Sequence, residues 1–452
     1  MAIYSIILAA GEGKRMKSKT AKPLHKVAGK PMLSCVLDAA TEANTDKNIV
    51  VIGHKREEIK EYFGDSILYA VQEKQLGTGD AVIQGMKQIP DEDGTVMVLC
   101  GDTPLITAET LKKALAEQTE NKNAVTVITA IAPNPFGYGR IVRGEDGSLK
   151  KIVEQKDATE EEKKISEINS GMFIFDIKHL RIALSKLNNN NSQGEYYLTD
   201  TIEYLIESGE KAGSVLADFY ETLGVNDRTQ LAAAEKIQNQ RNVKKAMLDG
   251  ATIIDPDNTY IGSSVKIGMD TVIHPGTTLN GECKIGENCT IGPNTIIEDC
   301  EIEDGSTIVC SKLIESKVGK NANIGPFAYL RPNSRLADNV KIGDFVEVKN
   351  SFIDEGTKVA HLTYIGDADV GKKVNFGCGT VIVNYDGAKK HRTTICDNAF
   401  IGCNTNLVSP VTVGDGAYTA AGSTITKDVP EGALAIARSR QENKENWTKY
   451  RK

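Results

Sequence analysis

Tryptophan is nearly missing from this chain, one residue in 452, and aromatic residues make up only 6%. Aliphatic side chains must therefore fill whatever cores exist. Cysteine occurs nine times, an odd number, and never as a C-x-x-C pair. That argues against a disulfide framework and a zinc knuckle, and points to a reducing compartment, the cytoplasm. A basic surplus is missing as well. Lys and Arg number 54 against 61 Asp and Glu, a net charge of −7, so the footprint of a nucleic-acid binder is absent. No apolar run approaches the ~18 residues of a membrane span. The opening, Met1-Ala2-Ile3-Tyr4-Ser5-Ile6-Ile7-Leu8-Ala9-Ala10, lacks a basic stretch ahead of its apolar residues and is expected to be a strand, not a signal peptide. What is abundant is glycine, 41 residues, which implies recurring tight turns. At ~150 residues per domain, the length suggests two or three domains.

The first ~225 residues alternate apolar runs with helix-like stretches, the signature of βαβ units and a mostly parallel sheet. Strands are expected at Ile3–Ala9, Asn48–Ile52, Thr95–Leu99, Ala124–Ala130 and Met172–Phe175. Helices are expected at Met32–Glu42, Gly79–Gln88 and Ala108–Glu120, and the asparagine run Asn188–Asn191 as a loop. Residues 227–249 are strong helix formers, ended by Asp249-Gly250, and predict a rigid linker helix. The expected domains are thus 1–226, the linker 227–249, and 250–452.

Beyond Ile254 the apolar period becomes six. Ile261, Ile267, Ile273, Leu279, Ile285, Ile291 and Ile297 keep it without exception. The register slips after Ile297, resumes from Val318 to Val348, and resumes again from Ile395 to Ile425. A helix has a period of 3.6 and a strand of 2, so neither explains six. Hexads build a parallel β-helix of triangular coils, and 261–425 holds roughly nine of them.

Two features of the amino-terminal half carry chemistry. Leu8-Ala9-Ala10-Gly11-Glu12-Gly13-Lys14-Arg15-Met16 ends a strand in a glycine turn, where free N–H groups can approach a phosphate. It is neither a Walker loop nor a full dinucleotide fingerprint; Lys14, Arg15 and Lys22 supply positive charge instead. A tight surface turn has the same local pattern. Val96–Leu99 runs into Cys100-Gly101-Asp102, which places a carboxylate at a strand's carboxyl end, where α/β sheets bind ligands and one acid can hold Mg²⁺.

Together with Lys22-Pro23-Leu24, Leu76-Gly77-Thr78-Gly79-Asp80-Ala81, Pro104-Leu105, Gly137-Tyr138-Gly139-Arg140-Ile141, Ile152-Val153-Glu154, Asn169-Ser170-Gly171 and Gly224-Val225-Asn226, these segments resemble the sugar nucleotidyltransferase family. The resemblance implies a Rossmann-like α/β domain in which Leu8, Ala9, Ala10, Gly11, Arg15, Lys22, Cys100 and Gly101 surround a nucleotide. It implies that Gln72, Gly77 and Thr78 meet uracil. Gly139, Glu154 and Asn169 would hold an N-acetylated sugar, and Asp102 and Asn226 would coordinate Mg²⁺. The implied reaction joins a sugar 1-phosphate to a nucleoside triphosphate with loss of pyrophosphate. It needs positioning and cations, not a nucleophilic side chain. Some members of the family carry Tyr at the position of Cys100.

Three departures from hexad regularity mark the carboxy-terminal half. The first is a polar set, Arg331, Lys349, His361, Tyr364 and Asn375, with two cations for a phosphate and a histidine able to take a proton from an amine. The second is Val383–Arg392. It separates Ile382 from Ile395 by thirteen residues where two hexads use twelve, and is expected to leave the coil as a loop. The third is the tail after Pro430, with Arg438 as a phosphate contact and Trp447.

With His361-Leu362-Thr363-Tyr364-Ile365-Gly366-Asp367, Val374-Asn375-Phe376-Gly377, Asn384-Tyr385-Asp386-Gly387, Val411–Gly414 and Ala420–Ser423, the resemblance covers the whole chain. It is to the bacterial bifunctional N-acetylglucosamine-1-phosphate uridylyltransferases and glucosamine-1-phosphate N-acetyltransferases. That family implies a left-handed coil, a homotrimer, and UTP, acetyl-CoA, glucosamine 1-phosphate and N-acetylglucosamine 1-phosphate as substrates. Arg331, Lys349, Tyr364 and Asn375 would bind glucosamine 1-phosphate, with His361 as general base. Cys378, Asn384, Tyr385, Cys403, Ala421 and Arg438 would line the acetyl-CoA site. Cys378 and Cys403 depart from the family's Ala and Ser. Two other readings stay open at this point: a monofunctional nucleotidyltransferase with a structural or regulatory coil, and a non-catalytic nucleotide sensor.

Overall fold

Ile6 and Ile7 are both fully buried although they point to opposite faces of one strand, so helices must cover both sides of the sheet. A computed structural model, which describes residues 2–191 and 193–450, has this arrangement. The chain divides between Gln238 and Asn239 into two compact units.

The first unit holds a nine-stranded sheet. Its strands are β1 (Ala2–Ala9), β2 (Lys47–Ile52), β3 (Leu68–Val71), β4 (Gly94–Cys100), β5 (Val125–Ile131), β6 (Arg140–Arg143), β7 (Leu149–Val153), β8 (Glu167–Asp176) and β9 (Ala212–Ala217). The order is β9-β5-β8-β4-β1-β2-β3, with β6 bonded to β8 and β7. β1 is parallel to β2 and β4, whereas β8 runs antiparallel to both β4 and β5. Helices α1 (Met32–Glu42), α2 (Arg56–Phe63) and α4 (Ala108–Glu120) bury Leu33, Val36, Ile59 and Leu111 with Ile7. Helices α3 (Thr78–Met86), α5 (Ile177–Leu184) and α6 (Asp200–Glu207) bury Val82, Leu180 and Ile202 with Ile6. The α4 start is capped, Thr107 Oγ1 accepting from the Thr110 N–H at 3.3 Å.

The expected linker is α7 (Arg228–Leu248), and it is not a bare spacer. Leu231, Ala234 and Ile237 belong to the core of the first unit, with Met16, Val27 and Met32. Val243 and Ala246 belong to the core of the second. Asn239 accepts from the Ile261 N–H and donates to the Thr259 carbonyl, both at 2.8 Å. Those two bonds cover the edge of the Tyr260–Ile261 strand, which would otherwise present unpaired backbone.

The second unit is the parallel β-helix that the hexads predict. Its three sheets have eleven, ten and nine strands, most of two or three residues. One inward column runs Ile261, Leu279, Ile297, Leu313 and Leu330 through successive paired strands. The slip after Ile297 has a simple geometry. Lys266 pairs with Lys284, 18 residues on, but Ile296 pairs with Lys312, 16 on, because two corners lose one residue each. Corners need a left-handed residue, and Asn294, Asn333, Asn350 and Asn404 supply it with φ of 47–64°. Glycine serves elsewhere because coils touch: a Cβ on Gly377 would lie 2.4 Å from the Cys403 nitrogen.

The expected loop is present over 384–392, while Val383 stays in the strand Val381–Val383 and pairs with Val408, and the insertion is longer than the spacing implies. Ile382 and Ile395 lie on consecutive sheets, so one hexad separates them and not two. Val381 pairs with Asn406, 25 residues on, whereas Asn406 pairs with Thr424, 18 on; the corner therefore carries seven extra residues. The tail also stays in the stack longer than its lost hexads suggest. Leu434–Ala435 pairs with Tyr418–Thr419, and the Thr424 N–H reaches the Ala437 carbonyl.

Candidate functional site

In the first unit a cavity of about 300 Å³ opens at the carboxyl ends of β1 and β4. Leu8, Ala9, Ala10, Gly11, Lys22, Gln72, Gly77, Thr78, Cys100, Gly101 and Asp102 all line it, with Pro23, Gln75, Ala81 and Glu195. A Cβ on Gly11 would meet no atom within 4 Å, so glycine there keeps the floor open to a ligand. Gly77 is required for another reason. Its φ is 110°, and a Cβ would lie 2.6 Å from the Tyr196 carbonyl oxygen. Gln72 is buried, and its amide donates to the Gly77 carbonyl at 3.1 Å and to Asp80 at 2.7 Å. With both amide hydrogens engaged, Gln72 offers its carbonyl oxygen as an acceptor. Burial pushes the Cys100 thiol up to about 12, so it stays protonated.

Lys22 organises the cation side of the cavity. Its ammonium lies 2.5 Å from Asp102 Oδ2 and 2.8 Å from Asn226 Oδ1. Asn226 reaches this point because the Val225 N–H donates to the Asp102 carbonyl at 2.8 Å. Two hard oxygens thus converge on one positive charge. Among the described residues no group of three or more His, Cys, Asp or Glu could hold a metal by itself. One carboxylate plus one amide is nevertheless a fitting donor set for Mg²⁺, which keeps water and phosphate oxygens as its remaining ligands.

Gly139, Glu154 and Asn169 come together beside this cavity's sheet. The Asn169 N–H donates to the Gly139 carbonyl at 2.9 Å, and a Cβ on Gly139 would lie 3.5 Å from both Glu154 oxygens. Burial, then the nearby Asp157 and Asp200, push the Glu154 carboxyl above the ordinary range. Arg15 is the exception. It is exposed and does not line the cavity, and its nearest described influence is on Asp227. Lys14 is paired with Glu12 at 2.5 Å.

In the second unit a cavity of about 620 Å³ is lined by Arg331, Lys349, Lys390, His391 and Arg392 with only Asp367 as an acid. That lining suits an anion. Lys349 bonds both Asp367 oxygens at 3.1 and 3.2 Å, Asn350 donates to Asp367 at 2.6 Å, and Asn384 also donates to it. Against the opposing effect of burial, those donors hold the Asp367 carboxyl below its usual range. Arg331 bonds Glu347 at 2.8 Å. Gly366 makes room for Tyr364 and Asn384, since a Cβ there would lie 2.4 Å from the Tyr364 hydroxyl.

Arg331, Lys349, Tyr364 and Asn384 are thus gathered around Gly366 and Asp367. His361 and Asn375 are not: neither lines the cavity, and Asn375 lies on the first sheet beside Lys358. A triangular coil is convex, so residues on two of its faces cannot enclose one ligand within a single chain. Cys378 and Cys403 stand in register on adjacent coils, with the Asn404 N–H donating to the Cys378 carbonyl at 2.7 Å. The next coil in that column brings Ala421, and Arg438 lies beside it, its Cδ 3.8 Å from a Cβ built on Gly422. Tyr385 is exposed on the inserted loop. Lys390, Arg392 and Asp367 were not singled out in the sequence. The signal available was the basic run Lys389-Lys390-His391-Arg392 inside the insertion.

The nucleotidyl transferase family model matches residues 4–229, and the bacterial transferase hexapeptide model matches 315–350 and 392–427. The bifunctional protein GlmU of Acetivibrio thermocellus is 56% identical over 98% of this chain and 97% of its own length. Those of Caldanaerobacter subterraneus subsp. tengcongensis and a Geobacillus strain are 56% and 55% identical over 99% and 98% of this chain, and 98% and 97% of their own. The chain belongs to the GlmU family. Both halves of the molecule fall within the match, the left-handed coil as well as the α/β unit, so a monofunctional architecture is set aside. Among the described residues no helix is long and apolar enough to cross a membrane.

Proposed function

We propose that this chain makes UDP-N-acetylglucosamine in two steps, one in each unit. The β-helix transfers an acetyl group from acetyl-CoA to the amine of glucosamine 1-phosphate. The α/β unit then joins the product to UTP and releases pyrophosphate. The observation that carries the reading is the pairing of two anion sites on one GlmU-family chain: the cavity that gathers Gly11, Lys22 and Asp102, and the cavity that gathers Arg331, Lys349 and Lys390.

In the uridylyl step the phosphate oxygen of the sugar attacks the α-phosphorus of UTP. Two anions must meet, so the work of the site is positioning and charge. Lys22 faces the phosphates, with Arg15 supplying further positive charge from outside the cavity lining. Gln72 accepts from the uracil imide, with Gly77 and Thr78 closing the base pocket. Gly139, Glu154 and Asn169 hold the acetamido sugar. Asp102 and Asn226 would hold Mg²⁺, which when bound would neutralise charge on the phosphates.

In the acetyl step Arg331, Lys349 and Lys390 hold the sugar phosphate, with Tyr364 and Asn375 against the sugar. His361 takes the proton of the amine as it attacks the thioester carbonyl. Asn384, Tyr385, Cys378, Cys403, Ala421 and Arg438 line the acetyl-CoA side. The site is completed by neighbouring copies in a homotrimer. Phe327 and Phe345 support this, stacked 5.3 Å apart and each 58% exposed, in left-handed backbone that bulky residues rarely adopt. Nine free thiols support a cytoplasmic location.

The test is a pair of assays on the whole protein. CoA release with glucosamine 1-phosphate and acetyl-CoA is expected to vanish in His361→Ala. Pyrophosphate release from UTP and N-acetylglucosamine 1-phosphate is expected to vanish in Asp102→Ala. Each variant should keep the other activity. Absence of CoA release from the unaltered protein would leave the β-helix without a reaction.

A further inference from the structure

Asp344 and His361 stand in register on neighbouring coils of the first β-helix sheet, and His361 Nδ1 lies 2.6 Å from Asp344 Oδ1. Their strands, Lys341–Asp344 and Lys358–His361, are four residues long, while every other strand in that sheet has two. The added residues bring the carboxylate and the ring onto one corner. Gly343 permits the extension: a Cβ there would lie 1.9 Å from the Ala360 carbonyl oxygen. The residues that follow, Phe345 and Leu362, have φ of 57° and 46°, and the Leu362 N–H donates to the Asp344 carbonyl at 2.9 Å. The backbone around the pair is therefore over-determined, with two bulky residues held in a sparsely populated conformation.

We propose that Asp344 is a positioning residue for acetyl transfer, holding His361 in the Nδ1–H tautomer so that Nε2 is the nitrogen that takes the amine proton. The inference rests on the reading of His361 as general base. An ionised carboxylate only accepts hydrogen bonds, so the hydrogen between the two groups belongs to Nδ1 and the lone pair belongs to Nε2. The bond from His361 also holds the Asp344 carboxyl below its usual range, which keeps it an acceptor. As the amine nitrogen bonds to the acetyl carbon, the carbon–sulfur bond breaks. The proton lost by nitrogen passes to Nε2 and then to the departing CoA sulfur. Asp344 stabilises the imidazolium between those transfers without becoming protonated itself.

The test uses the full-length protein with Asp344→Ala, Asp344→Asn and His361→Ala, and measures CoA release. Asp344→Ala is expected to lower kcat roughly tenfold to hundredfold, a part of what a general base supplies. The KM for glucosamine 1-phosphate should stay within about twofold, since Asp344 does not line the phosphate cavity. Added formate should restore much of the lost kcat in Asp344→Ala and none in His361→Ala. Asp344→Asn, which keeps an acceptor oxygen but no charge, should fall between. Pyrophosphate release should be unchanged throughout, reporting that the chain is folded. Full kcat in Asp344→Ala, or a loss confined to KM, overturns the role of Asp344 while the base reading stands. Full activity in His361→Ala overturns both.

Discussion

The Lys22 ammonium lies 2.5 Å from Asp102 and occupies, with its own charge, the point on which the two proposed Mg²⁺ ligands converge. A cation held by both oxygens would displace this lysine from its carboxylate. Asp102→Asn is expected to raise the Mg²⁺ concentration for half-maximal pyrophosphate release at least tenfold. Lys22→Ala should lower kcat by roughly 10²–10³, the scale of one lost charge-stabilising donor. CoA release should not change in either variant.

Gly77 sits where β3 gives way to α3, with φ 110° and ψ 175°, a region open to glycine alone. Gly77→Ala should destabilise the first unit by about 1–3 kcal/mol. The KM for UTP should rise, since the added Cβ meets Tyr196 backbone and Glu195, and Glu195 lines the cavity. Chemical unfolding and initial-rate kinetics on the same preparation check both.

Burial, helped by Glu203 and Asp157, pushes Asp200 up to about 6 from an ordinary 3.8. Between those values the folded chain keeps a proton that the unfolded chain has released, so stability falls as pH rises through the window. Above about 6 the loss is complete. Asp200→Asn is expected to raise the thermal midpoint of the first unit at pH 7 and to leave it unchanged at pH 3.5. Melts across the range measure it.

Lys390 and Lys349 crowd one another, and the hydrogen-bond contact with Lys349, then its charge, holds the Lys390 ammonium below its usual range. A bound phosphate relieves that repulsion. Lys390→Ala should raise the KM for glucosamine 1-phosphate roughly tenfold or more, the value of one charge-assisted hydrogen bond. The KM for acetyl-CoA should move much less, which steady-state kinetics with each substrate varied will show.

Phe327→Asp combined with Phe345→Asp places two carboxylates on the stacked pair. Light scattering is expected to report a monomer with no acetyltransferase activity and full uridylyltransferase activity. A trimer that persists would remove the Phe327–Phe345 column from the interface.

Much of the first unit was legible because its central strands are apolar runs with clear ends: β1, β2, β4, β5 and β8 all lie where the sequence places strands, and α1 and α4 match residue for residue. Helices α5 and α6 escaped although they bury Leu180 and Ile202, and other misses were peripheral. Helix α2 buries Ile59 alone among eight mostly charged residues, and β9 at the sheet edge leaves Leu216 62% exposed, so neither shows a period. In the coil, the inward column was legible because one aliphatic residue per hexad has no other use. Asp344 was not legible beside His361, nor Asp367 beside Lys349. Each pair meets across a coil, 17 and 18 residues apart, and the register varies from 16 to 18 even outside the insertion, where it is 25. The cavity in the first unit was the opposite case. Its glycines and charges are concentrated in short segments at strand ends, where chain direction alone brings them together.

The seven residues inserted between Ile382 and Ile395 leave the pairing above and below them intact. Lengthening a corner costs only loop closure, about 0.6 kcal/mol for each doubling of loop length. A stack of this kind can therefore gain a cavity-lining arm in a single genetic event, with no rung of the ladder rebuilt. The coil is in that sense a peg-board: chemistry is added at its corners, one independent position at a time, while the aliphatic interior goes on specifying the same rod.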